Sequence, residues 1–159
     1  MNMNHTNPDT LGIHELYSYQ ASILHARAYR NLKNYKNEIL KRHGLTMMQW
    51  MVIGLINDAG EKGIRMSDIA EQLDTTQAFA TTTVNFLEAR QIVSRTTHET
   101  DKRSKRIKIE PGHKQLIEQI EADVRQKLRE TLYQHISRQD LEVFIKVLSV
   151  LSVDTQANR

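Results

Sequence analysis

Ile64-Arg-Met-Ser-Asp-Ile-Ala-Glu-Gln-Leu-Asp74, then Thr75-Thr-Gln-Ala-Phe-Ala-Thr-Thr-Thr-Val-Asn-Phe-Leu-Glu88, and finally Asp101-Lys-Arg-Ser-Lys-Arg-Ile-Lys-Ile109 decide how this chain folds. They read as a short helix, a polar turn, a second helix with small polar residues on one face, and a basic hairpin. A helix-turn-helix followed by a charged wing is the layout of a module that reads double-stranded DNA, because an α-helix fits the major groove. The rest of the chain has to position that module.

Composition sets the frame. A chain of 159 residues, 39% apolar and 26% charged, is long enough to bury a real core and is expected to form one soluble globular unit. Only two prolines and six glycines favour long uninterrupted helices, so the expected fold is mainly α with a small β-hairpin wing. The absence of cysteine excludes disulfides, thiolate metal sites and thiol-based peroxide sensing. A net charge of +3 permits nucleic-acid binding without requiring it, so the distribution decides. Five basic residues and no acidic one lie between Lys102 and Lys108, whereas Glu118, Glu121, Asp123 and Glu130 dilute the charge further on. No apolar run approaches membrane-spanning length and residues 1–10 lack a signal-peptide core, so a cytoplasmic protein with no membrane partner is expected.

Residues 1–10 read as a polar, disordered tail. A long helix is expected from about Leu11 to Arg42, with Leu24, Ala28, Leu32, Tyr35 and Ile39 at helical spacing and Gly44 as the left-handed residue that ends it. Thr46 and Gln49 have capping-box spacing, with Leu45 and Trp50 as a hydrophobic staple, and Val52, Ile53 and Ile56 follow. Ile64–Met66 could form a very short strand. Ser67 is expected to cap the next helix, which runs through Leu73, and Thr75 or Thr76 the helix after it, with Ala80, Val84 and Leu87 facing inward. Strands are expected over 92–98 and 105–109. Pro111 suits the first turn of another long helix, with the stripe Leu116, Ile120, Val124, Leu128, Leu132 and Ile136. Ser137 then caps a last helix bearing Leu141, Phe144, Ile145, Leu148 and Leu151.

The second helix of the module has the face that groove reading needs. Ala78, Thr81, Thr82 and Asn85 fall at i, i+3, i+4 and i+7, and Gln77 sits in the first turn. Gln and Asn can pair bidentately with adenine, threonine methyls can meet thymine methyls, and Thr75 and Thr76 can donate to phosphate. A threonine-rich helix could instead be a merely solvated face. Threonine is a mediocre helix former, however, and threonines at 75, 76, 81, 82 and 83 are a poor choice for solubility alone. In the wing, Lys102, Arg103, Lys105, Arg106 and Lys108 flank a turn from which long cations reach phosphates or a narrow minor groove. Asp101 is expected to pair with Arg103 or Arg95 and shape the tip.

These residues resemble the MarR family of winged-helix transcriptional regulators over most of the chain. The resemblance is carried by Leu45-Thr46 with Gln49-Trp50, Met66-Ser-Asp-Ile-Ala with Leu73, Thr82-Thr with Val84-Asn85 and Leu87-Glu88, Ile92-Val with Arg95, and Asp101 with Arg103. It implies a winged helix-turn-helix over 45–110, an N-terminal dimerisation helix over 11–44 and C-terminal dimerisation helices over 111–159. It also implies a homodimer on a palindromic operator, usually a repressor released by a small effector. The DNA-binding residues would be Ser67, Thr75, Thr76, Gln77, Ala78, Thr81, Thr82, Asn85, Arg95, Lys102, Arg103 and Lys105. The chain departs from the family at Thr82, where many members carry arginine, and in its short link from Ile109 to Gly112. The residues themselves agree on one point: the terminal helices carry more apolar side chains than one thin winged helix needs, and such a surplus is best buried between subunits.

Family members often hold an aromatic effector where the dimerisation helices meet the DNA-binding domain. Tyr17, Tyr19, His25 and Tyr29 on the first helix, with Met47 and Trp50 on the second, could line such a pocket, with ordinary packing the stronger expectation for each. The seven histidines are scattered without compact ligand spacing, so no metal and no cofactor is expected. No phosphate-cradling glycine loop or nucleophile elbow is present, so no enzyme is expected. The competing reading is a winged-helix adaptor that binds protein, which would have no need of a basic wing.

Overall fold

The computed structural model describes residues 18–97 and 105–153. Six α-helices and one β-hairpin follow in the order expected of a mainly helical winged helix. They are α1 (Ser18–Lys41), α2 (Met47–Ala59), α3 (Met66–Gln72), α4 (Gln77–Ala89), β1 (Val93–Thr97), β2 (Lys105–Ile109), α5 (Lys114–Thr131) and α6 (Arg138–Leu151).

Local sequence signals explain most boundaries. Gly44 turns the chain out of α1 with φ +67°. Thr46 caps α2 through a complete capping box: its hydroxyl accepts from the Gln49 amide, and the Gln49 side chain accepts from the Thr46 amide. Thr76 caps α4 by accepting from the Phe79 amide, and Ser137 caps α6 by accepting from that of Asp140. Strand β1 pairs antiparallel with β2 in the register Val93↔Ile109 to Thr97↔Lys105. The short strand expected near Ile64 is a single bridge, Ile64↔Ile107. It requires close approach: Gly63 has φ +62°, and a Cβ there would lie 2.9 Å from the Ile107 carbonyl oxygen.

The same bridge corrects the expected start of α3. Because Ile64 is held extended against β2, Arg65 is still extended and occupies the cap position, and the helix begins at Met66. Ser67 therefore lies inside the first turn, and its hydroxyl donates to Asp68 rather than capping the helix.

The core gathers α2, α3, α4 and the hairpin. Ile53, Ile56, Ile69, Val84, Leu87 and Ile107 are all at most 1% exposed. Full burial of each such side chain stabilises the fold by roughly 1.5–3 kcal/mol. Helix α5 extends this cluster with Ile117, Ile120, Val124 and Leu128. The expected stripe therefore changes at its ends. Pro111 opens a separate 3-10 turn, Pro111–His113, and α5 starts only at Lys114, so Ile117 rather than Leu116 faces the core. At the other end α5 stops at Thr131, and Ile136 lies exposed in the connection to α6.

The outer helices bury little. In α1 only Ile39 and Leu40 are buried, while Leu24, Ala28 and Tyr35 of the expected stripe are exposed. Helix α6 buries nothing, and Val143, Phe144, Ile145, Val147, Val150 and Leu151 are all exposed. No helix among the described residues is long and apolar enough to cross a membrane.

Candidate nucleic-acid interface

Helix α4 divides by face. Ala80, Thr83, Val84 and Leu87 point into the core, which places Thr83 with the packing residues and apart from the other threonines. Gln77, Ala78, Thr82 and Asn85 are exposed and Thr81 is half-buried beside them. The threonine hydroxyls are already engaged: Thr81 donates to the Gln77 carbonyl at 2.8 Å and Thr82 to that of Ala78 at 3.0 Å. Outward, these residues therefore offer methyl groups and an oxygen that can still accept. Ahead of α4, Thr76 is exposed and Thr75 half-buried, with the Thr75 amide on the Ala70 carbonyl.

The hairpin stands against the same edge of the helix. A recess of about 410 Å³ separates them, lined by Met66, Gln77, Thr81, Asn85, Arg95, Lys105 and Ile107. Five of the residues assigned to DNA from sequence, Gln77, Thr81, Asn85, Arg95 and Lys105, thus come together around one concavity. Lys105 opens β2 and is exposed. Arg106 is half-buried, and its guanidinium donates to the Gly63 carbonyl at 3.2 Å. Asp101, Lys102 and Arg103 lie outside the described residues.

Arg95 crosses from β1 back to α4. It forms an ion pair with Glu88, and its second terminal nitrogen donates to Asn85 Oδ1 at 2.5 Å. In the sequence reading Glu88 contributes to the resemblance but is assigned no contact. Its spacing of three from Asn85 puts both on one helical face, but the strand that brings Arg95 to them is fixed only by the hairpin's packing. Arg90 was missed for the same reason: it ends α4 and donates to the carbonyls of Gly44 and His43, with its charge 5.6 Å from the centre of the Phe86 ring.

Residues 43–104 match the model of the MarR family. This segment of the chain is similar to the MarR family. Among solved structures, a MarR-family transcriptional regulator from Rhodococcus sp. RHA1 superimposes with a TM-score of 0.78 at 20% identity, over 89% of this chain and 99% of its own. The DNA complex of S. aureus MepR gives 0.70 at 20% identity, over 86% and 97%. CouR from Rhodococcus jostii RHA1, bound to p-coumaroyl-CoA, gives 0.77 at 20% identity, over 89% and 97%. At these identities the likeness extends to the winged-helix fold. No curated protein matches the sequence.

The MarR-type junction between outer helices and winged helix was the expected place for an effector. His25 and Tyr29 lie exposed one turn apart on α1, Met47 and Trp50 pack partly buried against the core from α2, and Tyr17 is outside the described residues. A groove of about 950 Å³ lies instead between α1 and α5 and is lined by Asn31, Asn34, Tyr35, Lys41, Arg42 and Lys127 among others.

Proposed function

We propose that this chain is a homodimeric transcriptional repressor of the MarR family that binds a palindromic operator and is released by a small aromatic effector. The observation that carries the reading is the shared concavity of α4 and the hairpin, with Gln77, Thr81 and Asn85 on one wall and Arg95 and Lys105 on the other. Residues 45–110 act as the DNA-binding unit. Gln77, Ala78, Thr81, Thr82 and Asn85 meet base edges; Ser67, Thr75 and Thr76 meet phosphate; Lys102, Arg103 and Lys105 of the wing follow the backbone. Segments 11–44 and 111–159 supply the dimer contacts, which would cover the apolar surface of α6. A DNA-bound relative, MepR, and a ligand-bound one, CouR, support operator and effector binding on this fold. Tyr17, His25, Tyr29, Met47 and Trp50 are the effector candidates.

Gel-shift titration against the chain's own promoter region, at two salt concentrations, tests the reading. Tight binding to one site, with half-sites about one helical turn apart, is expected. Binding no tighter than to random duplex would overturn it. Asn85→Ala should weaken operator binding selectively, whereas Lys105→Ala should weaken all duplexes alike and flatten the salt dependence by roughly 0.9 in log–log slope.

A further inference from the structure

The geometry points to Arg95 as the residue that sets the base preference of Asn85: we propose that it turns the Asn85 carboxamide into a donor, so that Asn85 reads guanine or thymine and discriminates against adenine. The inference rests on the reading of α4 as the base-contacting helix and specifies what one position of that helix reads.

An asparagine left to itself offers a carbonyl and an amide N–H₂ side by side, and that pair matches the N6 donor and N7 acceptor of adenine. Here the choice is constrained by Arg95. A guanidinium has donors and no acceptor, so the Asn85 atom 2.5 Å from it must be the carbonyl oxygen. Turning the amide over would set N–H against N–H beside a positive charge. The carbonyl keeps a second lone pair, but a cation this close withdraws electron density from it and repels the amino hydrogens of an approaching adenine. The same polarisation makes Nδ2–H a stronger donor, and no residue among those described accepts from it. What Asn85 then presents outward suits an edge that only accepts, guanine N7 and O6 or thymine O4.

Arg95 is held where this requires. It sits in β1 opposite Ile107, which is 1% exposed, so the strand cannot drift. Its other terminal nitrogen pairs with Glu88, one turn beyond Asn85 on α4. One guanidinium therefore bridges two residues of a single helical face. Gln77 provides the contrast: it lines the same recess, has no side-chain partner among the described residues, and keeps both its donor and its acceptor for adenine.

Selection from randomised duplexes by the full-length wild type, Asn85→Ala and Arg95→Ala tests this. The operator position whose preference disappears in Asn85→Ala should carry guanine or thymine in the wild-type sites. Arg95→Ala should admit adenine at that position, narrowing discrimination roughly tenfold, with the preferences at other positions retained. A role for Arg95 in fold stability alone would lower affinity for every sequence equally and would not change one base. Wild-type sites carrying adenine there overturn the inference whether or not Arg95→Ala folds, as does a folded Arg95→Ala with an unchanged preference, or an Asn85→Ala that loses no preference. A wild type that enriches no sequence overturns the DNA-binding reading itself, and this inference with it.

Discussion

Arg90 at the end of α4 donates to the Gly44 carbonyl at 2.6 Å, tying the helix proposed to read DNA to the turn between α1 and α2. The neighbouring His43 continues the connection, its Nε2 lying 3.0 Å from an Asp123 oxygen on α5. Three elements far apart in sequence, the end of α4, the α1–α2 turn and α5, thus meet through two side chains. A change in the outer helices has a direct route to the orientation of α4.

Arg90→Ala should therefore lower stability by about 1 kcal/mol, since a charged hydrogen bond is lost but the site is exposed. Gly44→Ala should cost about 1–2 kcal/mol, because φ is +67° and the new Cβ would come within 3.3 Å of the Arg90 guanidinium. Urea unfolding of both single variants and the double should give a combined loss smaller than the sum, as the contact is shared. Strict additivity would show that the added Cβ leaves the Arg90 contact undisturbed.

Two glycines should respond in opposite directions. Gly63→Ala places a Cβ 2.9 Å from the Ile107 carbonyl and 3.1 Å from Arg106 Cβ at φ +62°, and should cost at least about 2 kcal/mol and loosen the hairpin. Gly54→Ala lies within α2 with nothing near the added carbon, and should stabilise by about 0.5–1 kcal/mol. Thermal denaturation of both variants checks the sign.

At Thr82 the methyl and the hydroxyl can be separated. Its hydroxyl already donates within the helix, so Thr82→Val should keep operator affinity within about threefold, or about 0.7 kcal/mol, if the methyl carries the contact. Thr82→Ser should lose more. The reverse order in a fluorescence-anisotropy titration would assign the contact to the oxygen.

The surface of α6 should govern assembly. Val147 is 48% exposed and Ile145 59% exposed in the single chain. In the proposed dimer, a charge introduced by Val147→Glu would be buried unpaired between subunits and should raise the dissociation constant at least roughly a hundredfold, equivalent to about 2.7 kcal/mol. Sedimentation equilibrium measures this directly; an unchanged oligomeric state would remove α6 from the interface.

Much of the fold is legible in the sequence. The capping box of Thr46 and Gln49, the Thr76 and Ser137 caps and the Gly44 terminus all act over three or four residues, where side chain and backbone are neighbours whatever else happens. The inward residues of α4, Ala80, Val84 and Leu87, followed from helical periodicity. Ser67 misled because the chain before it is held by β2, more than forty residues away. Leu116 was confused with Ile117 because the helix start depends on the 3-10 turn after the hairpin, and a shift of one residue rotates a helix by about 100°.

The sequence by itself determined the order and kind of the elements and the exposed polar face of α4, because these depend on local spacing and residue chemistry. Only the tertiary structure decided which of those polar groups remain available. Arg106 donates to the Gly63 carbonyl, and Asn85 is held by Arg95 from the neighbouring strand. A donor is free or engaged according to what packing brings within 3 Å of it, and spacing along one helix cannot report a partner that arrives from another element.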